Sequence, residues 1–256
     1  MSLKFYVGVT CLPSREENLK KCLNSFIKQN NKPEKVFVSY CKKYKRFPEL
    51  SFNTSVLEEF KNNSMFEFIE CEEDYGPGTK FVAPFKRFKE LEENNLENSY
   101  LLVADDDRTY YDYWIQTFNS ILKANKNSVV TGHRDIHNNG FSLIYGADGY
   151  SIKGTHYEKL VNWFHLNISR PRGNECWHHD DHIVSSFYHY NKIEILDTKK
   201  KSCHHSYVDE VSLTTRMKKR NDDRGSRRNG ECGYVYSNIR GSIERNELPN
   251  PEKYIL

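Results

Sequence analysis

The chain has 256 residues, of which 37% are hydrophobic, and its net charge is only +3 at pH 7. No apolar run approaches the roughly 20 residues of a membrane span, and no signal-peptide core precedes the first strand, so we expect a soluble cytoplasmic protein. The seven cysteines form no C-x-x-C pair, which argues against a zinc cage or a disulfide framework and predicts reduced thiols.

Strand and helix patterns alternate through the first half of the chain. Short apolar segments predict strands at residues 5–11, 36–38, 66–69 and 100–104. Apolar residues at helical spacing predict a helix over 19–27, opened by a capping box in which Glu17 returns a bond to the amide of Ser14. Further helices are predicted at 56–60 and 81–91, and Thr109 and Asp112 predict a cap for a helix over 111–122.

The second half of the chain is less regular. Strands are predicted at residues 129–131 and 142–146, and helices at 158–164 and from residue 180 onward. Strands that alternate with helices predict a parallel sheet covered on both faces. No internal repeat and no linker interrupts the pattern, so we expect a single domain.

Three consecutive aspartates, Asp105, Asp106 and Asp107, follow the strand predicted at 100–104. Ligands of parallel sheets bind at the carboxyl ends of the strands, which is where these aspartates stand. Mg²⁺ and Mn²⁺ prefer hard oxygen ligands, and such a cation stabilises the charge that develops on a departing nucleoside diphosphate. We interpret the triplet as a metal- and nucleotide-binding turn. The alternative is an acidic surface turn that caps the helix after it.

Four segments, taken in order, form a recognisable set. They are the opening strand and helix at 7–26, Lys28-Gln29 followed by Pro33-x-x-Val36, the turn Asp74-Tyr75-Gly76-Pro77-Gly78-Thr79-Lys80, and Val103-Ala104-Asp105-Asp106-Asp107. The set resembles GT-A glycosyltransferases, and the turn looks like the G-P-x-T-K element of small family-2-like enzymes, including some from large DNA viruses. The resemblance spans about residues 5–190 and implies an α/β, Rossmann-like, mostly parallel sheet flanked by helices.

The resemblance also implies a donor site and a metal site. The residues that it assigns to a nucleotide-sugar donor are Thr10, Arg15, Asp74, Lys80, Asp105, Asp106, Gly146 and Gly149. It assigns a Mn²⁺ or Mg²⁺ ion to Asp107 and Asp105, with a late histidine, His204 or His205, completing the shell. The alternatives are an ordinary turn at 146–149 and two histidines that merely end a strand.

The segment Cys176-Trp177-His178-His179-Asp180-Asp181-His182 is similar to the x-E-D segment of the family, whose last aspartate is the general base of inverting members. The resemblance therefore implies Asp181 as the base that deprotonates the acceptor, with Asp180, which stands where the family has Glu, as the second choice. One alternative is plain N-capping of the helix by these residues. Another is a zinc site at His178 and His182, which have i, i+4 spacing but lack a Glu directly after the first His.

These observations favour a metal-dependent, inverting glycosyltransferase that moves a sugar from a nucleoside-diphosphate sugar to a glycan or glycoprotein acceptor. No nucleic-acid partner is expected. Three alternatives stay open: a nucleotidyltransferase of the same fold, a metal-dependent nuclease, and a glycan-binding module without catalysis. A nucleotidyltransferase usually has a Gly-rich loop after the first strand, and residues 10–15 contain no glycine.

Domain boundaries follow from the same patterns. We expect a catalytic domain at residues 1–215, with a nucleotide-binding half at about 1–110 and an acceptor half at about 111–215. We expect residues 216–256 to form a basic, flexible C-terminal segment, since 216–228 carry seven basic residues against two acidic ones. That stretch is either a solvated loop or a basic flap over a phosphate-bearing ligand.

Overall fold

A computed structural model describes residues 2–136, 142–169 and 179–205 of the chain. Residues 176–178 of the predicted base segment, the basic stretch at 216–228 and the predicted boundary after residue 215 lie outside the described residues. Across these ranges, no helix combines the length and the apolar character needed to cross a bilayer.

Eleven strands and six α-helices make up the described part of the chain. The strands are β1 (Lys4–Thr10), β2 (Lys35–Cys41), β3 (Phe66–Cys71), β4 (Ser99–Asp105), β5 (Arg108–Tyr110), β6 (Val129–Thr131), β7 (Arg134–Ile136), β8 (Ser142–Ile144), β9 (Tyr150–Lys153), β10 (Ile195–Asp197) and β11 (Cys203–His205). The α-helices are α1 (Glu16–Ile27), α2 (Thr79–Val82), α3 (Phe85–Glu92), α4 (Trp114–Ala124), α5 (Gly154–Ile168) and α6 (Asp180–Tyr190).

Seven strands form the main sheet, in the order β10-β6-β9-β4-β1-β2-β3. All neighbours are parallel except β9, which runs antiparallel to β4 and to β6. Tyr150, at the start of β9, pairs with Val103 near the end of β4. The segment that leads into β9 therefore lies at the same edge of the sheet as the carboxyl end of β4.

Helices cover both faces of this sheet. On one face, α1 and α4 bury Leu23, Phe26 and Trp114 against the strands. On the other face, α2, α3, α5 and α6 bury a second apolar cluster that includes Trp163 and Phe187. Burial on both faces explains why the central strands are almost continuously apolar, as parallel sheets require.

Most predicted elements are found, with shifted boundaries. The helix predicted at 81–91 is divided into α2 and α3, because Pro84 lacks the amide hydrogen that would continue α2. The segment predicted as a helix at 56–60 is a 3-10 helix, Thr54–Phe60. The strand predicted at 142–146 ends at Ile144, and the next residues form a 3-10 turn, Gly146–Asp148.

Both predicted helix caps are wrong. Helix α1 begins at Glu16 after Arg15 and has no side-chain cap, while Ser14 adopts the left-handed region at φ 63°. Thr109 lies inside β5, opposite His204 of β11, and α4 begins only at Trp114. Pairing with a strand almost 100 residues away has overridden the local capping pattern at Thr109.

Candidate functional site

The acidic turn ends the central strand β4. Asp105 is the last residue of β4 and lies beside Thr10, the last residue of β1. Its amide N–H donates to the hydroxyl of Tyr110 over 2.9 Å, and this bond fixes the backbone at the end of β4. The side chain of Asp105 remains 32% exposed, which leaves a carboxylate at the open edge of the sheet.

Arg15 holds the other two aspartates. Its guanidinium lies 2.8 Å from an oxygen of Asp106 and 3.1 Å from an oxygen of Asp107. Asp106 also accepts a bond from the amide of Leu12 and is buried, whereas 13% of the Asp107 side chain is exposed. Burial raises the pKa of Asp106 to about 7, even though Arg15 opposes the shift. Asp106 is therefore an internal anchor of the turn rather than a surface ligand.

Lys80 reaches the same edge from α2. Its ammonium lies 2.8 Å from Oδ1 of Asp105 and 3.1 Å from Oδ2 of Asp180, and only 2% of the side chain is exposed. Burial disfavours the charge of Lys80, but the carboxylates of Asp105 and Asp180 outweigh it and raise the pKa of the ammonium. Conversely, burial alone would raise the pKa of Asp105, and the charge of Lys80 holds it below its usual value.

The turn at 146–149 is held against β4 by side chains beneath it. The Tyr110 hydroxyl donates to the carbonyl of Ala147, and the Trp114 indole N–H donates to that of Asp148. Gly149 has a φ of 86°, and a Cβ there would come within 2.5 Å of the Trp114 ring. Only glycine tolerates both that conformation and that contact.

Helix α6 brings two carboxylates to this turn. Asp180, its first residue, is buried between Lys80 and the hydroxyl of Tyr150, which lies 3.4 Å away. Asp181 is partly exposed, and its Oδ1 accepts the amide N–H of Gly146 over 3.0 Å. The two neighbouring aspartates therefore occupy different environments, one internal and one facing the edge of the sheet.

Each remaining predicted site residue either lies farther from this centre or has a side chain that is hydrogen-bonded to backbone groups. Asp74 accepts the amides of Lys45 and Gly76, so its carboxylate is used to shape the turn before α2. The Thr10 hydroxyl donates to the carbonyl of Ser39. His204 is exposed on β11, with its ring 5.6 Å from that of Tyr111.

The backbone of His205 pairs with Arg108, next to Asp107, and its side chain is outside what the structure describes. The alternative zinc site cannot be placed, because His178 lies outside the described residues. Among the residues that are described, no group of three or more His, Cys, Asp or Glu side chains is placed to hold a metal ion.

The charge of the described site suits a cation bound together with further oxygen ligands. Three buried or half-buried basic side chains face five carboxylates, namely Arg15, Lys80 and Arg108 against Asp105, Asp106, Asp107, Asp180 and Asp181. The excess is negative, and the partly exposed side chains of Asp105 and Asp107 carry oxygens of the hard type that Mg²⁺ and Mn²⁺ prefer. Two carboxylates make only part of a shell, so these residues fit a cation whose other ligands come from a bound phosphate or water.

Several supporting residues escaped the sequence analysis. Trp114 falls within a predicted helix and is not assigned to the site, and Tyr110 is not singled out at all. Cys203 contributes as well, since its thiol lies 3.4 Å from the carbonyl of Ala147. No local motif marks these residues, because each has a partner in the turn at 146–149 that is more than 30 positions away along the chain.

Comparisons with known proteins identify solved structures that have a similar fold. No protein-family model matches the sequence, and no curated protein matches it either. Among solved structures, the chain is similar to S. aureus TarS 1-349 in complex with UDP, with 16% identity and a TM-score of 0.55 over 98% of this chain and 68% of that one. The complex of TarS 1-349 with UDP-GlcNAc gives 16% identity and a TM-score of 0.50 over 98% and 78%.

The structure of TarS without a residue range gives 15% identity and a TM-score of 0.55, and the chain spans about half, 51%, of its length. At this identity the likeness shows the fold alone. The predicted fold class, a mostly parallel α/β sheet flanked by helices, is confirmed.

Proposed function

We propose that the protein is a metal-dependent glycosyltransferase that uses a nucleoside-diphosphate sugar as donor. One observation carries the proposal: three partly exposed features converge at one edge of the sheet, the Asp105–Asp107 turn, the turn at 146–149, and Asp181 at the start of α6. Solved structures of the same fold include TarS with UDP and with UDP-GlcNAc, which favours a uridine nucleotide as the first donor to test.

The proposed roles follow from exposure. The side chains of Asp105 and Asp107 are 32% and 13% exposed, so they would hold the Mn²⁺ or Mg²⁺ ion, which would stabilise the charge on the departing diphosphate. Asp106 is buried against Arg15 and acts as an anchor that orients its two neighbours. We propose His204 or His205, which pair with Thr109 and Arg108 of β5, as the histidine that would complete the shell.

Asp181 is the better of the two candidates for the general base. A base must reach the acceptor hydroxyl, and the carboxylate of Asp181 is partly exposed at the edge where the sugar would lie. The carboxylate of Asp180 is 5% exposed and faces Lys80. In a direct displacement the base works from the face opposite the leaving group, so the product would have inverted anomeric configuration. The acceptor class that we propose is a glycan or glycoprotein.

The test is whether the protein splits nucleotide sugars, with water as the substitute acceptor. We expect release of UDP from UDP-GlcNAc, or of the corresponding diphosphate from another nucleotide sugar, in the presence of Mn²⁺ and its loss in EDTA. The variant Asp107→Asn, which keeps the shape but removes a charged ligand, should weaken metal-dependent donor binding measured by calorimetry. Equal donor affinity in EDTA and in Mn²⁺ would contradict the metal-bridging role.

Assays with other substrates distinguish the alternative functions. A nucleotidyltransferase of this fold would consume a sugar phosphate and a nucleoside triphosphate and release pyrophosphate. A nuclease would cleave DNA or RNA in the same metal buffer, and a glycan-binding module would bind oligosaccharides without splitting any nucleotide sugar. We also propose that the protein acts in the cytoplasm, and the compartment in which the active protein is found tests this.

A further inference from the structure

A buried lysine connects the two halves of the proposed site. Lys80 lies between the end of β4 and the start of α6, with its ammonium 2.8 Å from Asp105 and 3.1 Å from Asp180. These partners are 25 and 100 positions away along the chain. A Cβ added at Gly146 would lie 3.0 Å from this ammonium and 2.7 Å from Oδ1 of Asp181, so the glycine turn packs directly against the same junction.

An ammonium in this position must remain paired. Removing a charge from water costs several kcal/mol, and a buried ion pair is tolerated only where the partners are close and well oriented. Lys80 meets that condition through two carboxylates and is 2% exposed. In this arrangement its ammonium is enclosed by protein, and a donor diphosphate would have to displace Asp105 or Asp180 to reach it.

The pairing also fixes Asp181. Asp180 is the first residue of α6, so its contact with Lys80 holds the first turn of the helix in place. Asp181 follows immediately and is bound to the amide of Gly146. The bridging ammonium and the turn packed against it therefore both contribute to the position of the Asp181 carboxylate relative to Asp105.

We propose that Lys80 and Asp180 form a positioning pair that sets the distance between the acidic turn of β4 and the carboxylate of Asp181, and that neither touches the substrate. This inference rests on the proposed function, and it assigns Lys80 a different role from donor binding and Asp180 a different role from base. The pair acts on turnover through Asp181.

The experiment is a double-mutant cycle with Lys80→Met, Asp180→Asn and the double variant, using UDP-GlcNAc hydrolysis in Mn²⁺ as the probe reaction. Each single variant should lower kcat roughly 10- to 100-fold, because a misplacement of about 1 Å costs this much, while KM for the donor changes less than about 3-fold. The double variant should be no slower than the slower single variant, since both substitutions break the same unit.

Lys153→Met is the matched control. Lys153 is also a buried lysine, 5% exposed and 2.6 Å from Glu97, but it ends β9 at the opposite edge of the sheet. It should lower the urea midpoint as Lys80→Met does and leave kcat within about 3-fold of the wild type, because distant sites behave independently. A drop in kcat equal to that of Lys80→Met would reduce the pair to a general structural role and overturn the inference.

Two further results would overturn it while leaving the proposed function intact. A KM increase of about 10-fold or more in Lys80→Met, absent from Asp180→Asn, would show that Lys80 acts on donor binding, directly or through Asp105, and not through Asp181. A loss of kcat in Asp180→Asn that exceeds that of Asp181→Asn would make Asp180 the base. If the wild type splits no nucleotide sugar at all, the proposed function falls and the inference falls with it.

Discussion

Asp180 and Asp181 are neighbours in sequence, yet their carboxylates meet different surroundings. Asp181 is partly exposed and bound to the amide of Gly146, so Asp181→Asn keeps the shape of the side chain and removes only its basicity. We expect this variant to lose transfer by about 10²- to 10⁴-fold while donor affinity stays near the wild-type value. Donor affinity by calorimetry and product formation by chromatography give the two readouts.

Asp107→Asn provides the contrast for that measurement, because it should weaken metal-dependent donor binding itself. NMR of the sugar product supplies an independent check on stereochemistry. A product with the anomeric configuration of the donor would contradict inversion, whichever aspartate is the base.

Tyr110 is a second residue whose hydroxyl has a specific task. It accepts the amide N–H of Asp105 and donates to the carbonyl of Ala147, thereby connecting the acidic turn to the turn at 146–149. Tyr110→Phe retains the ring and should lose about 1–2 kcal/mol of unfolding free energy. We also expect turnover to fall about 10-fold or more, because the two turns lose their fixed separation.

Tyr100→Phe is the control for this prediction. Tyr100 is equally buried, at the opposite end of β4, and its hydroxyl donates to the carbonyl of Lys126. Its loss should cost about 1 kcal/mol of stability and leave turnover unchanged. Equal turnover in the two variants would show that the Tyr110 hydroxyl has no role at the site.

His156 makes stability depend on pH. Burial, with a smaller contribution from the charge of Lys153, lowers the pKa of His156 from 6.5 to about 4. Between these values the unfolded chain binds a proton that the folded protein does not, so stability falls as the pH drops below about 6.5. The loss attributable to His156 is about 2 kcal/mol at pH 5.

Urea unfolding at pH 7.5 and pH 5 tests this prediction. His156→Gln removes the titrating group, so its unfolding free energy should fall less between the two pH values than that of the wild type. An identical pH dependence in both proteins would place the acid sensitivity elsewhere in the chain.

At the scale of elements, the turn at 146–149 depends on the absence of a side chain. A Cβ at Gly146 would come within 2.7 Å of the Asp181 carboxylate and 3.0 Å of the Lys80 ammonium. Gly146→Ala should therefore push the base away from its position and lower kcat by about 10-fold or more. Steady-state hydrolysis of UDP-GlcNAc measures this loss.

Gly154→Ala serves as the comparison, because its Cβ would meet the carbonyl of Leu96 at 2.6 Å, at the other edge of the sheet. Both substitutions should destabilise the fold, as overpacking typically costs about 1–3 kcal/mol. Only Gly146→Ala should lower the kcat of the folded fraction. If both variants lowered it equally, the crowding at Gly146 would carry no catalytic meaning.

The helices and strands also show how much of the fold can be predicted from the sequence. The central strands were predictable because both faces are buried and their residues are almost continuously apolar, and the acidic turn was predictable because it ends such a strand. The cap at Thr109 was predicted wrongly, because β11 pairs with this segment from almost 100 residues away. Long-range pairing of this kind leaves no local pattern.

The site shows the same division. The proposal of Asp181 as the base comes from its register in a resembling segment, whereas the enclosure of Lys80 between Asp105 and Asp180 emerges only when α2, β4 and α6 come together. Tyr110 likewise resembles an ordinary core aromatic in the sequence. Residues that act through other residues are defined by tertiary contacts, and a single sequence does not encode those contacts locally.

At the scale of the whole molecule, the proposed site makes thermal stability depend on two ligands at once. Asp105 and Asp107 offer only part of a metal shell, so Mn²⁺ alone and donor alone should each bind weakly. Together they should bind the folded state and stabilise it by about 2.7 kcal/mol at a ligand concentration of 100 Kd. For a chain of this size that corresponds to a rise in Tm of roughly 5–10 °C.

Thermal unfolding with a panel of UDP- and GDP-sugars, each with Mn²⁺ and with EDTA, measures this effect. The rise should require both ligands, and it should disappear in Asp107→Asn but persist in Asp181→Asn, because the first variant removes a metal ligand and the second removes only the base. A shift of equal size in EDTA would show that donor binding does not depend on Mn²⁺. In that case the acidic turn would bind the donor without a bridging metal ion.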